Sequence, residues 1–115
     1  MPNMKIHVDR SLPERAHRDI EAALGPLSML LCERLNVDIS ACQFAVIQVF
    51  GMVNQPAVNV ELSILPNVDR TRQKLMDLAS EIQVLVAAAA SSGVAVRISQ
   101  LDPATYVAAK GPCTV

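Results

Sequence analysis

Apolar and polar residues alternate along this chain with two different periods, and the switch between them marks out its elements. Met4, Ile6 and Val8 alternate with Asn3, Lys5, His7 and Asp9, which predicts a strand over residues 3–9. Ser11-Leu12-Pro13-Glu14 then has the spacing of a capping box, with proline near the first helical position, and predicts a helix start. Ala16, Ile20, Ala23 and Leu24 follow at helical spacing. Gly25-Pro26 interrupts the pattern before it resumes over Leu27 to Leu35, so Pro26 is expected to kink or split the helix. Cys42 to Phe50, rich in branched and aromatic residues, reads as a strand, and Gly51 to Pro56 as a connecting loop.

The second half repeats the plan. Ala57 to Leu65 alternates as a strand, Asp69 is placed to cap a helix from Arg70 to about Ala90, and Val94 to Ser99 is a strand after the Ser91-Ser92-Gly93 turn. Strand, helix, strand, twice over, predicts an α/β (α+β) fold: tandem β-α-β units with right-handed crossovers, forming a four-stranded sheet with two helices on one face. A single domain is expected, with repeats over about 2–50 and 57–100 and a C-terminal tail. The other sheet face would then expose apolar side chains and call for cover by another subunit. A hydrophobic content of 51% with only 3% aromatic residues points the same way.

Composition removes several classes of function. Ten basic and eleven acidic residues give a net charge of −1, and no Lys/Arg run occurs, so the electrostatic footprint of a nucleic-acid binder is missing. Two Phe, one Tyr and no Trp leave no stacking platform for bases. Cys32, Cys42 and Cys113 are odd in number and lack metal-ligand spacing, which fits a reducing compartment. The N-terminal residues lack a secretory pattern, and the apolar run Val84 to Ala90 is too short to span a bilayer. A cytoplasmic protein without nucleic-acid or membrane partners is expected.

The chemistry that stands out is at Pro2. Removal of Met1 would leave a free secondary amine at the edge of the sheet. An α-amino group titrates at roughly 8, and desolvation or neighbouring cations disfavour its charged form, so such an amine is a candidate base near neutrality. His7 and His17 have no Ser, Cys or carboxylate at a spacing that suggests a triad. Tyr106, the only tyrosine, reads as packing of a C-terminal turn, with a role as an acid or pocket cap as the alternative.

The opening Pro2-Asn-Met-Lys-Ile-His-Val-Asp-Arg-Ser11, within a doubled β-α-β pattern of this length, resembles the tautomerase superfamily. The break at Pro26, the strand Val60-Glu61-Leu62-Ser63-Ile64, the stretch Arg70-Thr71-Arg72-Gln73 and the closing Gln100-Leu101-Asp102-Pro103 are similar to its 5-carboxymethyl-2-hydroxymuconate isomerase branch. The resemblance implies a homotrimer that acts on a small carboxylate substrate without a cofactor or metal. Pro2 would be the general base, in a site partly built by a neighbouring subunit.

Guanidinium groups suit the binding of carboxylates and developing enolates. Arg10, Arg70, Arg72 and Arg97 are therefore the substrate-binding candidates, together with Ile64. Arg70 and Arg72 are expected in the first turn of the second helix, against its dipole. Each arginine has the alternative of a surface or interface ion pair. Where the family carries an arginine at the start of the second strand, this chain has Gln43-Phe44, and Gln43 would hydrogen-bond a carbonyl oxygen instead. Two other readings remain: a hydratase or dehalogenase in which a protonated Pro2 is the acid, and a non-enzymatic ferredoxin-like binding or assembly module.

Overall fold

The computed structural model describes residues 2–112. Its elements are β1 (Asn3–Asp9), α1 (Glu14–Ala22), α2 (Leu24–Leu35), a 3-10 turn (Ile39–Ala41), β2 (Gln43–Val49), β3 (Val58–Ile64), α3 (Arg72–Ala90) and β4 (Val94–Gln100). The sheet has the order β2-β1-β3-β4. β1 and β2 are parallel, as are β3 and β4, while the central pair β1 and β3 is antiparallel. This is the expected α+β architecture, two β-α-β units joined into one four-stranded sheet with the helices packed on one face.

The first helix is split rather than kinked, and the break falls at Ala23. A proline ring crowds the carbonyl four residues before it, and for Pro26 that carbonyl belongs to Ala22, the last residue of α1. Within the first turn of α2 the missing proline N–H removes no helical bond. Two expected caps are corrected. The capping box does not form, because the Ser11 hydroxyl and backbone N–H both donate to the Asp9 carboxylate, and α1 begins after an extended Pro13 with no side-chain cap. In α3 the cap is Thr71, whose hydroxyl accepts the Lys74 N–H at 3.2 Å, not Asp69. Asp69 and Arg70 are still in a turn, held by their backbone N–H groups to the side chain and carbonyl of Asn67. Arg72 opens the helix, whereas Arg70 precedes it.

The core lies between the sheet and the helices. Met4, Ile6 and Val8 of β1 and Val58, Val60 and Ile64 of β3 are wholly buried, packed in one cluster with Ile20, Leu27, Leu31, Ile82 and Val86. The opposite face contradicts the apolar surface expected of it. Its β1 and β3 positions are Asn3, Lys5, His7, Asp9, Asn59, Glu61 and Ser63, and Arg97 and Ser99 continue it on β4. The register sets Lys5, Glu61 and Arg97 side by side, so charge alternates across three strands. Apolar side chains on this face are confined to Ala45, Ile47 and Val49 of β2 and Ala95 of β4, so its centre makes no hydrophobic demand for a covering subunit. Among the described residues, no helix is long and apolar enough to cross a membrane.

Candidate functional site

Pro2 is buried immediately before β1, a central strand, so neighbours on both sides enclose it. On one side its carbonyl accepts the Gln43 N–H at 2.9 Å, where β2 begins. On the other, the register that pairs Asn3 with Ser63 continues one step to set Pro2 opposite Ile64, which has no exposed surface. Ile64 pairs in turn with Gln100, and its carbonyl accepts the Leu101 N–H at 2.7 Å. The start of β2 and the end of β3 thus flank Pro2, with the end of β4 on the far side of β3. Two arginines arrive at the same end. Arg70, in the β3–α3 loop, donates from Nη1 to the Leu65 carbonyl at 2.5 Å. Arg72, the first residue of α3, borders a cavity of about 380 Å³ together with Ile98 and Gln100.

The other candidates lie elsewhere. Arg10 follows the far end of β1, and a seven-residue strand spans roughly 20 Å, so within one chain it does not reach Pro2. Its guanidinium stacks over the Phe50 ring, 4.5 Å from the centroid, and its backbone N–H donates to the Val49 carbonyl. Arg97 is on the open face, where Nη1 donates to Asn59 Oδ1 at 3.2 Å, whereas Pro2 shares the strand parity of the buried face. Gln43 meets Pro2 through its backbone, and its exposed side chain shares the open face with Asn3. Tyr106 is exposed and donates its backbone N–H to the Asp102 carbonyl in the turn after β4.

Sequence reasoning overlooked two neighbours of this end. Cys42 directly precedes Gln43, and its thiol is pushed up to about 11, first by burial and then by the adjacent Cys32. It is therefore protonated near neutrality and poorly suited to act as a nucleophile. Cys113 lies outside the described residues. The second neighbour is a cavity of about 340 Å³ between the end of α2 and the start of α3, bordered by Arg34, Asp69, Arg70, Lys74 and Glu81. Arg34 is held there by a two-pronged bond to Glu81, at 2.9 and 3.2 Å, and by Glu33 at 2.9 Å. The sequence signal for the cavity was slight: mixed charges on helix faces usually mark solvated surface. Among the described residues, no group of His, Cys, Asp or Glu is arranged to hold a metal ion.

Several solved structures share this fold. A fused 4-OT that forms a symmetric trimer is similar over 96% of this chain and 94% of its own, with a TM-score of 0.71 and 13% identity. A member of the cis-3-chloroacrylic acid dehalogenase family covers 92% of this chain and 79% of its own, with a TM-score of 0.72 and 16% identity. The macrophage migration inhibitory factor-like protein of Entamoeba histolytica covers 94% and 95%, with a TM-score of 0.67 and 13% identity. The chain shares its fold with these proteins. Because a dehalogenase-family member and a malonate semialdehyde decarboxylase both share it, the scaffold carries more than one reaction. No protein-family model matches the sequence, and neither does any curated protein.

Proposed function

We propose that this protein is a cofactor-independent tautomerase or double-bond isomerase. Pro2, freed by removal of Met1, is its general base on a small unsaturated keto or hydroxy acid. The observation that carries this reading is the burial of Pro2 at the end of a central strand, between Gln43 and Ile64, in a fold shared with tautomerase-superfamily proteins. Burial disfavours the ammonium form of an amine, which leaves the nitrogen lone pair available near neutral pH. The amine removes a proton from one carbon or enol oxygen and returns it to another, with negative charge on the carbonyl oxygen in between. Arg72 is the cation assigned to the substrate carboxylate from this chain. The muconate isomerase resemblance makes 5-carboxymethyl-2-hydroxymuconate-like acids the substrates to try first.

The assembly is a homotrimer in this reading. Support comes from the symmetric trimer of a similar structure and from Phe50, Met52 and Val53, which stand exposed at the Arg10 end. Arg10 and Arg97, remote from their own Pro2, are assigned to a neighbouring subunit's site.

The test is ultraviolet-monitored ketonisation of phenylenolpyruvate and 2-hydroxymuconate by protein confirmed free of Met1 by mass spectrometry. Wild type should turn over at least one, with activity falling at acid pH as the amine is protonated. Pro2→Ala should be inactive with its oligomeric state unchanged; full activity in that variant refutes the assignment. Similarity to a dehalogenase-family member and to malonate semialdehyde decarboxylase supports a second reading, in which protonated Pro2 acts as an acid. That reading requires an amine still charged at neutral pH in ¹⁵N NMR.

A further inference from the structure

The chemistry of its guanidinium makes Arg70 a substrate-binding candidate, but that group is turned onto the protein's own backbone. Nη1 donates to the Leu65 carbonyl at 2.5 Å in a part-buried setting, and Nε is shut off from solvent without a partner. The loop is shaped for this contact. The Arg70 N–H is held by the Asn67 carbonyl at 2.9 Å and the Asp69 N–H by the Asn67 side chain at 3.0 Å, so the chain doubles back and the side chain reaches the residue where β3 ends.

Leu65 directly follows Ile64, the residue opposite Pro2. Past the last rung of the ladder, a strand-end carbonyl has no backbone donor and frays unless another group supplies one. A guanidinium is a strong substitute, because charge-assisted hydrogen bonds are roughly twice as strong as neutral ones. The next carbonyl back, that of Ile64, is held by Leu101. Together these two bonds fix the end of β3 where it forms one wall around Pro2.

We propose that Arg70 is a positioning residue: it acts on Pro2 through Leu65, by holding the end of β3 in place, and is not a ligand of the substrate. This rests on Pro2 being the reacting group. Arg72, whose cavity opens beside Gln100, keeps the substrate role.

A pair of substrates separates the two roles: phenylenolpyruvate and the enol of its methyl ester, which lacks the carboxylate. Arg70→Met should lower kcat by roughly tenfold for both, by the same factor and with little change in KM, since small misplacements of a reacting group are costly. Arg70→Lys, which keeps the charge but loses the planar fork, should fall between wild type and Arg70→Met. Amide NMR signals of Ile64 and Leu101 should shift in Arg70→Met, and the ¹⁵N-labelled Pro2 amine should titrate higher as water reaches it. A loss confined to phenylenolpyruvate with raised KM, or unmoved amide and amine signals, would overturn the proposal. If wild type shows no Pro2-dependent turnover, the parent reading fails. The amide and amine signals then still decide whether Arg70 holds β3 against Pro2.

Discussion

The two ends of the sheet are built from the same strands but differ in what they enclose. At the Pro2 end, the backbone of β2 and β3 flanks a buried proline, and the guanidinium of Arg70 is bonded to Leu65, just past the end of β3. At the Asp9 end a carboxylate does the organising. Asp9 accepts from Ser11 and, at 2.6 Å, from the Gly51 N–H, beside a cavity of about 430 Å³ under the Gly51–Pro56 loop. The first end is closed by strand pairing and burial; the second is exposed and depends on an ionised side chain. Chemistry that needs a desolvated group belongs at the first, and contacts with another molecule fit the second, where Phe50, Met52 and Val53 are uncovered.

The contrast is most strongly tested by emptying one end. Ile64→Ala should cost about 2–5 kcal/mol in urea denaturation, the range for large buried aliphatics, and should change the Pro2 titration. Val58→Ala, equally buried at the other end of the same strand, should cost less because fewer atoms are removed, and should leave Pro2 unchanged. Equal effects of both variants on Pro2 would erase the distinction between the ends.

Acid should act on the Asp9 end. The Ser11 hydroxyl first, and then the Gly51 N–H, hold the Asp9 carboxyl below the usual carboxylate range. Its folded pKa is thus lower than its unfolded value of roughly 3.9. The stabilising contribution is complete well above that value and is lost as pH falls through it toward the lower folded pKa. Amide signals of Ser11 and Gly51 should shift below about pH 4, and Asp9→Asn should remove that transition. Asp38, tied to Ser40 near the start of β2, is depressed in the same way and gives a separate acid transition at Ser40.

Smaller effects sharpen the picture. With a pKa of about 11, Cys42 should react slowly with iodoacetamide at pH 8 and faster as pH approaches that value; rapid labelling at pH 7 would show that this end is more open than its burial implies. Arg34→Ala removes exposed ion pairs with Glu81 and Glu33, and should lower stability only slightly, less still at high salt.

Much of this was legible in the sequence, for identifiable reasons. Strand and helix periods are local, so β1 and the split near Pro26 could be read directly. The polarity of the open face was also written in Lys5, His7, Glu61 and Arg97. The contrary expectation treated every strand as apolar on both faces, a pattern that only β2, with Ala45, Ile47 and Val49, approaches. The distance between Arg10 and Pro2 follows from strand length alone. What could not be read was the loop before α3. Asp69 and Thr71 are both good caps, and the choice between them depends on the turn that Asn67 makes. The reach of Arg70 to Leu65 depends on that same turn, and a carbonyl carries no residue-type signal.

The central place of β1 has a kinetic consequence. Its partners β2 and β3 lie far along the chain, and Gln43 and Ile64 belong to segments that reach Pro2 only by closing long loops. Contacts of such high sequence separation form slowly, because the entropy of loop closure is lost before the contacts return any stabilisation. An early compact intermediate with formed helices would therefore leave Pro2 wet. Desolvation of its nitrogen marks the assembly of the whole sheet, and a spectroscopic label at that atom would time the last step of folding.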